Sequence, residues 1–279
     1  MLWSKLEARI QTVEARLDGV LGVFVKDLTS GAVVRVRPDQ VFPLASSIKV
    51  AVLYELYRQA EEGRIDLAEI TRPPLPRVGG GGVLQELGGD VSVTWRDLAV
   101  LMMGWSDNEA ANVLIGRLGM DAVNQRLQGH GLRGTRLKRR MMDLEAARRG
   151  DENVGTPAEM AQLLEHAYRG TGLSAERSRD LAAVFAGPKW SDSQAGVPFR
   201  APLPPSLRVL DKAGELEGVR CVSAAVDLPG RPYVASIMTT FLRRESDGEA
   251  AIREISAAVF ETFDRLASGS EHGRLIGPK

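Results

Sequence analysis

Residues 42–50 read Phe42-Pro43-Leu44-Ala45-Ser46-Ser47-Ile48-Lys49-Val50. A helical apolar pattern starts here and runs over 46–62, so Ser46 and Lys49, three apart, share one face of its first turn. A serine hydroxyl is a weak nucleophile until a base stands beside it. A lysine serves as that base once burial or a neighbouring cation lowers its pKa. The start of a helix adds a positive dipole end and unpaired backbone N–H groups, both favourable to a developing oxyanion. The same residues allow a plainer reading, in which Ser46 or Ser47 merely caps the helix.

Upstream, 2–17 repeats apolar residues at helical spacing (Leu6, Ile10, Val13, Leu17), and 20–28 reads as a strand. Thr29-Ser30-Gly31 turns it into a partner strand over 32–36. Downstream of 46–62, helices are predicted over 95–105, 107–118, 158–168 and 175–185. Thr156 is a cap and Pro157 a first-turn residue for the helix at 158–168. Strands return at 208–212, 220–228 and 233–240, with a turn at 227–231, and a helix over 249–267 closes the chain. Strands at both ends with helices between predict an α/β (α+β) fold. It is a five-stranded antiparallel sheet flanked by the terminal helices, with an inserted all-helical lobe. Residues 1–279 then form a single domain, with one lobe of 1–44 plus 203–279 and a helical lobe of 45–202. A cleft between the lobes is the natural place for a site.

Lys plus Arg and Asp plus Glu both number 36, so the formal net charge is zero. That balance offers no electrostatic reason for a nucleic-acid or anionic-membrane partner. The one cysteine, Cys221, excludes an intrachain disulfide and a Cys-rich metal centre, and reads as a small buried hydrophobe. His130 and His166 read as helix-end or surface residues; with His272 they are the three histidines, and no metal or cofactor is expected. Charges at Lys5, Glu7, Arg9, Glu14 and Arg16 interrupt the apolar run a signal peptide needs. The longest apolar stretch, 98–103, falls far short of the roughly 18 residues of a membrane span. With Met1 as natural start, the expectation is a cytoplasmic monomer acting on a small molecule; a chain trimmed of its leader would be periplasmic or secreted. The glycine-rich 78–83 is not followed by the Gly-Lys-Ser/Thr of a phosphate loop and reads as a flexible connector. The basic run 136–140 lacks interleaved aromatics and reads as a solvated loop.

Two further motifs follow the first. Ser106-Asp107-Asn108 opens a helix, where it is also an ordinary capping sequence. Lys212-Ala213-Gly214 ends a strand. Taken in order, Ser46-x-x-Lys49, Ser106-Asp107-Asn108 and Lys212-Ala213-Gly214 resemble the Ser-x-x-Lys, Ser-Asp-Asn and Lys-Thr-Gly set of class A β-lactamases and penicillin-binding proteins. The resemblance runs over about 20–260 and takes in Phe42-Pro43, Asn108-Glu109-Ala110-Ala111-Asn112, Thr156-Pro157-Ala158-Glu159-Met160-Ala161 and Gly218-Val219-Arg220. Gly82-Val83-Leu84 and Arg140-Met141-Met142-Asp143 resemble a divergent branch, the class A β-lactamase-related serine hydrolases. The resemblance implies that Ser46 attacks a carbonyl and is acylated while Lys49 takes or relays its proton. It implies that Ser106 bridges toward the leaving group and that Lys212 holds Ser106 and an electropositive cleft. The N–H groups of Ser46 and Glu215 would form the oxyanion hole, beside Gly214 on the substrate-binding strand. Asn108 would orient Lys49 or the substrate amide, and Arg220 would bind a substrate carboxylate.

Three departures bear on the activity. Aligned on Thr135-Arg136-Leu137, the family's deacylating glutamate falls on Met141, which cannot be a base. Glu145 is the candidate replacement and Asp143 the second. Loss of a general base commonly costs about 10²–10⁴ in rate, so without one the acyl-enzyme persists. Ala213 replaces the threonine hydroxyl that would donate to a substrate carboxylate, a bond worth roughly 1.5–3 kcal/mol to a charged group. Glu215 and Glu217 add negative charge that opposes an anionic ligand unless Arg220 and Lys212 offset it. These changes point away from common β-lactams toward a neutral ester or amide. The alternative is a penicillin-binding or sensing domain that does not turn over.

Overall fold

The apolar runs at the two ends of the chain pair into one sheet. The computed structural model describes residues 2–187, 189, 196–270 and 273–274. Helix α1 (Leu2–Arg16) leads into β1 (Val20–Asp27) and β2 (Val33–Val36), a hairpin. Helices α2 (Lys49–Glu61), α3 (Trp95–Gly104), α4 (Asn108–Leu118), α5 (Met120–Gly129), α6 (Leu144–Arg148), α7 (Pro157–Arg169), α8 (Ala175–Ala186) and α9 (Gly196–Arg200) follow. Strands β3 (Val209–Leu216), β4 (Val219–Val226) and β5 (Tyr233–Thr240) and helix α10 (Glu245–Ala267) complete the order. The sheet runs β2-β1-β5-β4-β3 with every neighbour antiparallel, the five-stranded sheet the sequence predicts. β1 meets β5 along its whole length, from Val20 opposite Thr240 to Asp27 opposite Tyr233.

Both faces of this sheet are covered, which is why β5 is buried at every position, Ser236, Thr239 and Thr240 included. On one face α1 (Leu6, Ile10, Val13) and α10 (Ile252, Ile255, Val259, Phe263) pack on Val23, Val222 and Ile237. On the other, Met160 and Leu164 of α7 meet Leu210, Ala225 and Met238 in a core that continues into α2. Helix α2 is buried on nearly all sides, with Lys49, Glu55 and Gln59 among its buried residues. The cap expected before α7 is present: the Thr156 side chain accepts from Glu159 N at 3.2 Å, with Pro157 as the first helical residue.

Three boundaries differ from expectation in ways that matter for the site. The helix predicted from Ser46 starts at Lys49, because 45–48 forms a 3₁₀ turn. The strand predicted to end at Lys212 continues to Leu216, because β4 pairs with it all the way. Helix α10 starts at Glu245, four residues before the expected Glu249.

Candidate active site

Strand β3 is pressed against the 3₁₀ turn that carries Ser46, and the contact leaves no room for a side chain at residue 214. A Cβ on Gly214 would lie 2.2 Å from Leu44 O and 2.9 Å from both Ser47 N and Cys221 Sγ. Gly214 therefore sets the distance between strand and turn, and it is not itself in the cleft lining. Gly214→Ala should cost about 1–3 kcal/mol, since the opposing atoms are largely backbone and cannot yield. A urea midpoint unchanged from the parent would contradict this.

The turn sorts the two serines. Neither caps a helix: the residue capping the turn is Leu44, with no side-chain bond. Ser47 is fully buried and its hydroxyl donates to Lys212 O at 3.0 Å. The Cys221 thiol, buried as expected, donates to Leu44 O at 3.2 Å and is pushed up to about 11 by that burial. Ser46 instead lines a cleft of about 650 Å³. The preceding residue, Ala45, has φ 46°, a left-handed conformation that is strained for a residue with a side chain.

Lys49 is 0% exposed and sits at the centre of a polar cluster. Its Nζ lies 3.2 Å from Ser46 Oγ, 3.2 Å from Ser106 Oγ, 2.9 Å from Asn108 Oδ1 and 2.6 Å from Ser106 O. An ammonium has three protons for these four oxygens, whereas a neutral amine offers a lone pair to a hydroxyl. Burial, then the charge of Lys212, hold the Lys49 pKa well below the ordinary lysine value; Asp107 opposes this. Lys212 donates to Ser106 Oγ at 3.0 Å and to Ala213 O at 2.8 Å. Its own pKa is lowered to about 8 by burial and then by Lys189, with Asp211 opposing. Ser106, at φ 51°, thus bridges both lysines through one hydroxyl.

The middle motif does two jobs at once. Asp107 caps α4 by accepting from Ala110 N at 2.9 Å with one oxygen. Its other oxygen accepts from Val83 N at 2.7 Å and Leu84 N at 2.8 Å. Val78 N reaches Glu109 Oε2 at 2.9 Å, and Asn108 Nδ2 reaches Gly79 O at 3.2 Å. The glycine stretch is therefore not a flexible connector but a pinned wall of the cleft. Gly82, at φ 110°, lies so close that its Cβ would be 2.4 Å from Asp107 Cγ.

The structure brings Ser46, Lys49, Ser106, Asn108 and Lys212 together, with Glu215 in the same lining. It does not bring in the other candidates, Glu145, Asp143 and Arg220. Glu145 is exposed in the first turn of α6, Asp143 caps that helix by accepting from Ala146 N at 2.9 Å, and neither lines the cleft. Met141 is buried, its N and O bonded to Asn112 at 2.8 and 3.0 Å. Arg220 is also outside the lining: its Nε pairs with Glu249 at 3.2 Å and its Nη1 donates to Leu216 O and Val219 O. Glu217 is exposed where β3 turns into β4. The basic run is not wholly solvated, since Arg139 is buried and pairs with Glu152 at 2.9 Å. His130 ends α5 and lies 4.4 Å, ring to ring, from His166, while His272 lies outside the described residues. Sequence reasoning missed Lys189, Arg200 and Glu86, all in the lining. A buried aspartate on a strand demands a cation, and Asp211 was the available signal for Arg200. Among the described residues no group of three His, Cys, Asp or Glu is arranged to hold a metal, and no helix is long and apolar enough to cross a membrane.

Known proteins resemble this chain in sequence and fold. The model of the β-lactamase enzyme family matches residues 5–263. β-Lactamase CARB-4 of Pseudomonas aeruginosa is 27% identical over 269 residues, covering 94% of this chain and 91% of its own. The structure of PBP-A superposes with a TM-score of 0.84 at 28% identity, over 94% of this chain and 97% of that one. The same values hold for a point mutant of PBP-A solved as an acyl-enzyme complex with penicillin G. An ancestral class A β-lactamase matches with a TM-score of 0.83 at 30% identity, over 92% of this chain and all of that one (100%).

Proposed function

The chain belongs to the β-lactamase enzyme family, and on that premise we propose that it is an active-site serine hydrolase acting on β-lactams or related amides and esters through an acyl-enzyme at Ser46. The observation that carries this is the buried Lys49 Nζ held 3.2 Å from Ser46 Oγ. As neutral amine, Lys49 takes the Ser46 proton while Oγ attacks the carbonyl. Asn108 keeps Lys49 aimed. Ser106, bonded to both lysines, hands a proton to the leaving group, so the proton taken from Ser46 has a return path. The N–H groups of Ser46 and Glu215 hold the oxyanion, a contribution typically worth about 3–4 kcal/mol.

Deacylation is the slow half of this cycle. No carboxylate occupies the Met141 position, and removing a general base costs about 10²–10⁴ in rate. The acyl-enzyme trapped with penicillin G in the PBP-A mutant supports an intermediate of this kind in the fold. The Met141 position also favours a second reading, a penicillin-binding domain that acylates without turnover. Intact-mass measurement after a penicillin and after an activated ester tests both. We expect an adduct on the peptide bearing Ser46 that outlasts its formation by about 10²–10⁴ in time. An adduct that clears completely within hours supports the hydrolase, and one that never clears supports the binding domain. No adduct from either probe overturns both.

A further inference from the structure

Two of the groups expected to meet an anion are unavailable for it. Residue 213 has no hydroxyl, and the Arg220 guanidinium is held by Glu249 and by two carbonyls of its own hairpin. The cleft nevertheless contains a cation with no sequence motif around it. Lys189 shares the lining with Ser46, Ser106 and Lys212. Its Nζ donates to Met103 O at 3.2 Å, a carbonyl three residues before Ser106 on the cleft wall. One carbonyl uses one of three ammonium protons. Among the described residues Met103 O is the hydrogen-bond partner of that ammonium; Asp211, in the same lining and ion-paired to Arg200, favours its charge, and Arg200 opposes it.

The neighbouring cations are committed differently. Arg200 is held by Asp211, at 3.1 Å through Nε, and by Val209 O at 3.0 Å. Lys212 is committed to Ser106 and Ala213 O. Lys189 is close enough to Lys212 to disfavour its proton, and Asp211, which favours both ammonium groups, is one carboxylate shared among Lys189, Lys212 and Arg200, so a further anion between the two lysines relieves both. Glu86 and Glu215 elsewhere in the lining make an anion unwelcome near them, which leaves the lysine pair as its seat.

We propose that Lys189 is the specificity-determining cation of this cleft and that it recognises a carboxylate on the acyl substrate. The reaction at Ser46 rests on the function proposed above; the anion recognition does not. This replaces the neutral substrate expected from Ala213 and the two glutamates, because that expectation did not include Lys189.

The test uses the full chain and two matched activated esters, one ending in a free carboxylate and the other in its methyl ester. Wild type should prefer the carboxylate ester, and its KM for that ester should rise with salt. Lys189→Met should lower the carboxylate-to-methyl ratio of kcat/KM at least tenfold, through KM, and Lys189→Arg should restore most of it. Equal losses on both esters would mean that Lys189 only supports Met103, and would overturn the proposal, as would an unchanged ratio. A Ser46→Ala chain titrated with the carboxylate ester separates the two ideas. Binding that weakens tenfold on adding Lys189→Met, with no acylation in wild type, sinks the hydrolase but keeps the anion site. Acylation at Ser46 with no dependence of that binding on Lys189 does the reverse.

Discussion

Ser46→Ala is expected to abolish covalent labelling and to lower hydrolysis by roughly four orders of magnitude or more. The size follows from the absence of a substitute nucleophile. Ser47 is next in sequence, but it is 0% exposed and its hydroxyl is committed to Lys212 O. Ser106 Oγ is held between two lysines, with the backbone at φ 51° fixing its position. Among the described residues the Ser46 hydroxyl is bonded to Lys49 alone, so removing its oxygen should leave stability within about 0.5 kcal/mol. Intact-mass labelling and a urea titration on the same sample check both halves. Retained labelling in Ser46→Ala, with loss in Ser47→Ala, would reassign the nucleophile.

Lys49→Met should reduce the acylation rate by about 10²–10⁴ and remove its acid limb. The direction comes from which form of the amine works. The neutral amine is the base, so acylation rises with pH and levels off above the Lys49 pKa. Burial and Lys212 lower that pKa, so the rise falls well below the ordinary lysine range. Lys212 and Lys189, both lowered to about 8, must keep their protons to act as cations. Activity on a carboxylate-bearing substrate should therefore fall again as pH passes about 8, giving a bell. Single-turnover acylation measured across the pH range reads both limbs. An acid limb that survives unchanged in Lys49→Met would assign the base to another group.

The local motifs were legible because each is a run of neighbours whose spacing alone puts side chains together. Ser46 and Lys49 meet because three residues make about one turn, whether that turn is 3₁₀ or α. Strands β1, β2, β4 and β5 announced themselves by apolar runs broken at turn residues. What escaped were contacts made between distant segments. Glu145 is near Met141 in sequence but exposed in the first turn of α6, which Asp143 caps, while Met141 is buried and clamped by Asn112. The glycine wall looked like a connector because its ligands, Asp107 to Glu109, lie some twenty-five residues further on.

By itself the sequence determined the sheet built from two chain ends, the family, and the serine–lysine–serine–lysine set, since these depend on periodicity and on motif order. Only the tertiary structure decided what Ser47 is committed to, why residue 214 has to be glycine, and which charges line the cleft. Arg220 is withdrawn to Glu249 on α10, and Lys189 arrives beside Lys212 from more than twenty residues earlier in the chain. The physical reason is that electrostatics follow distance and burial in space, and neither quantity is a property of position along the chain.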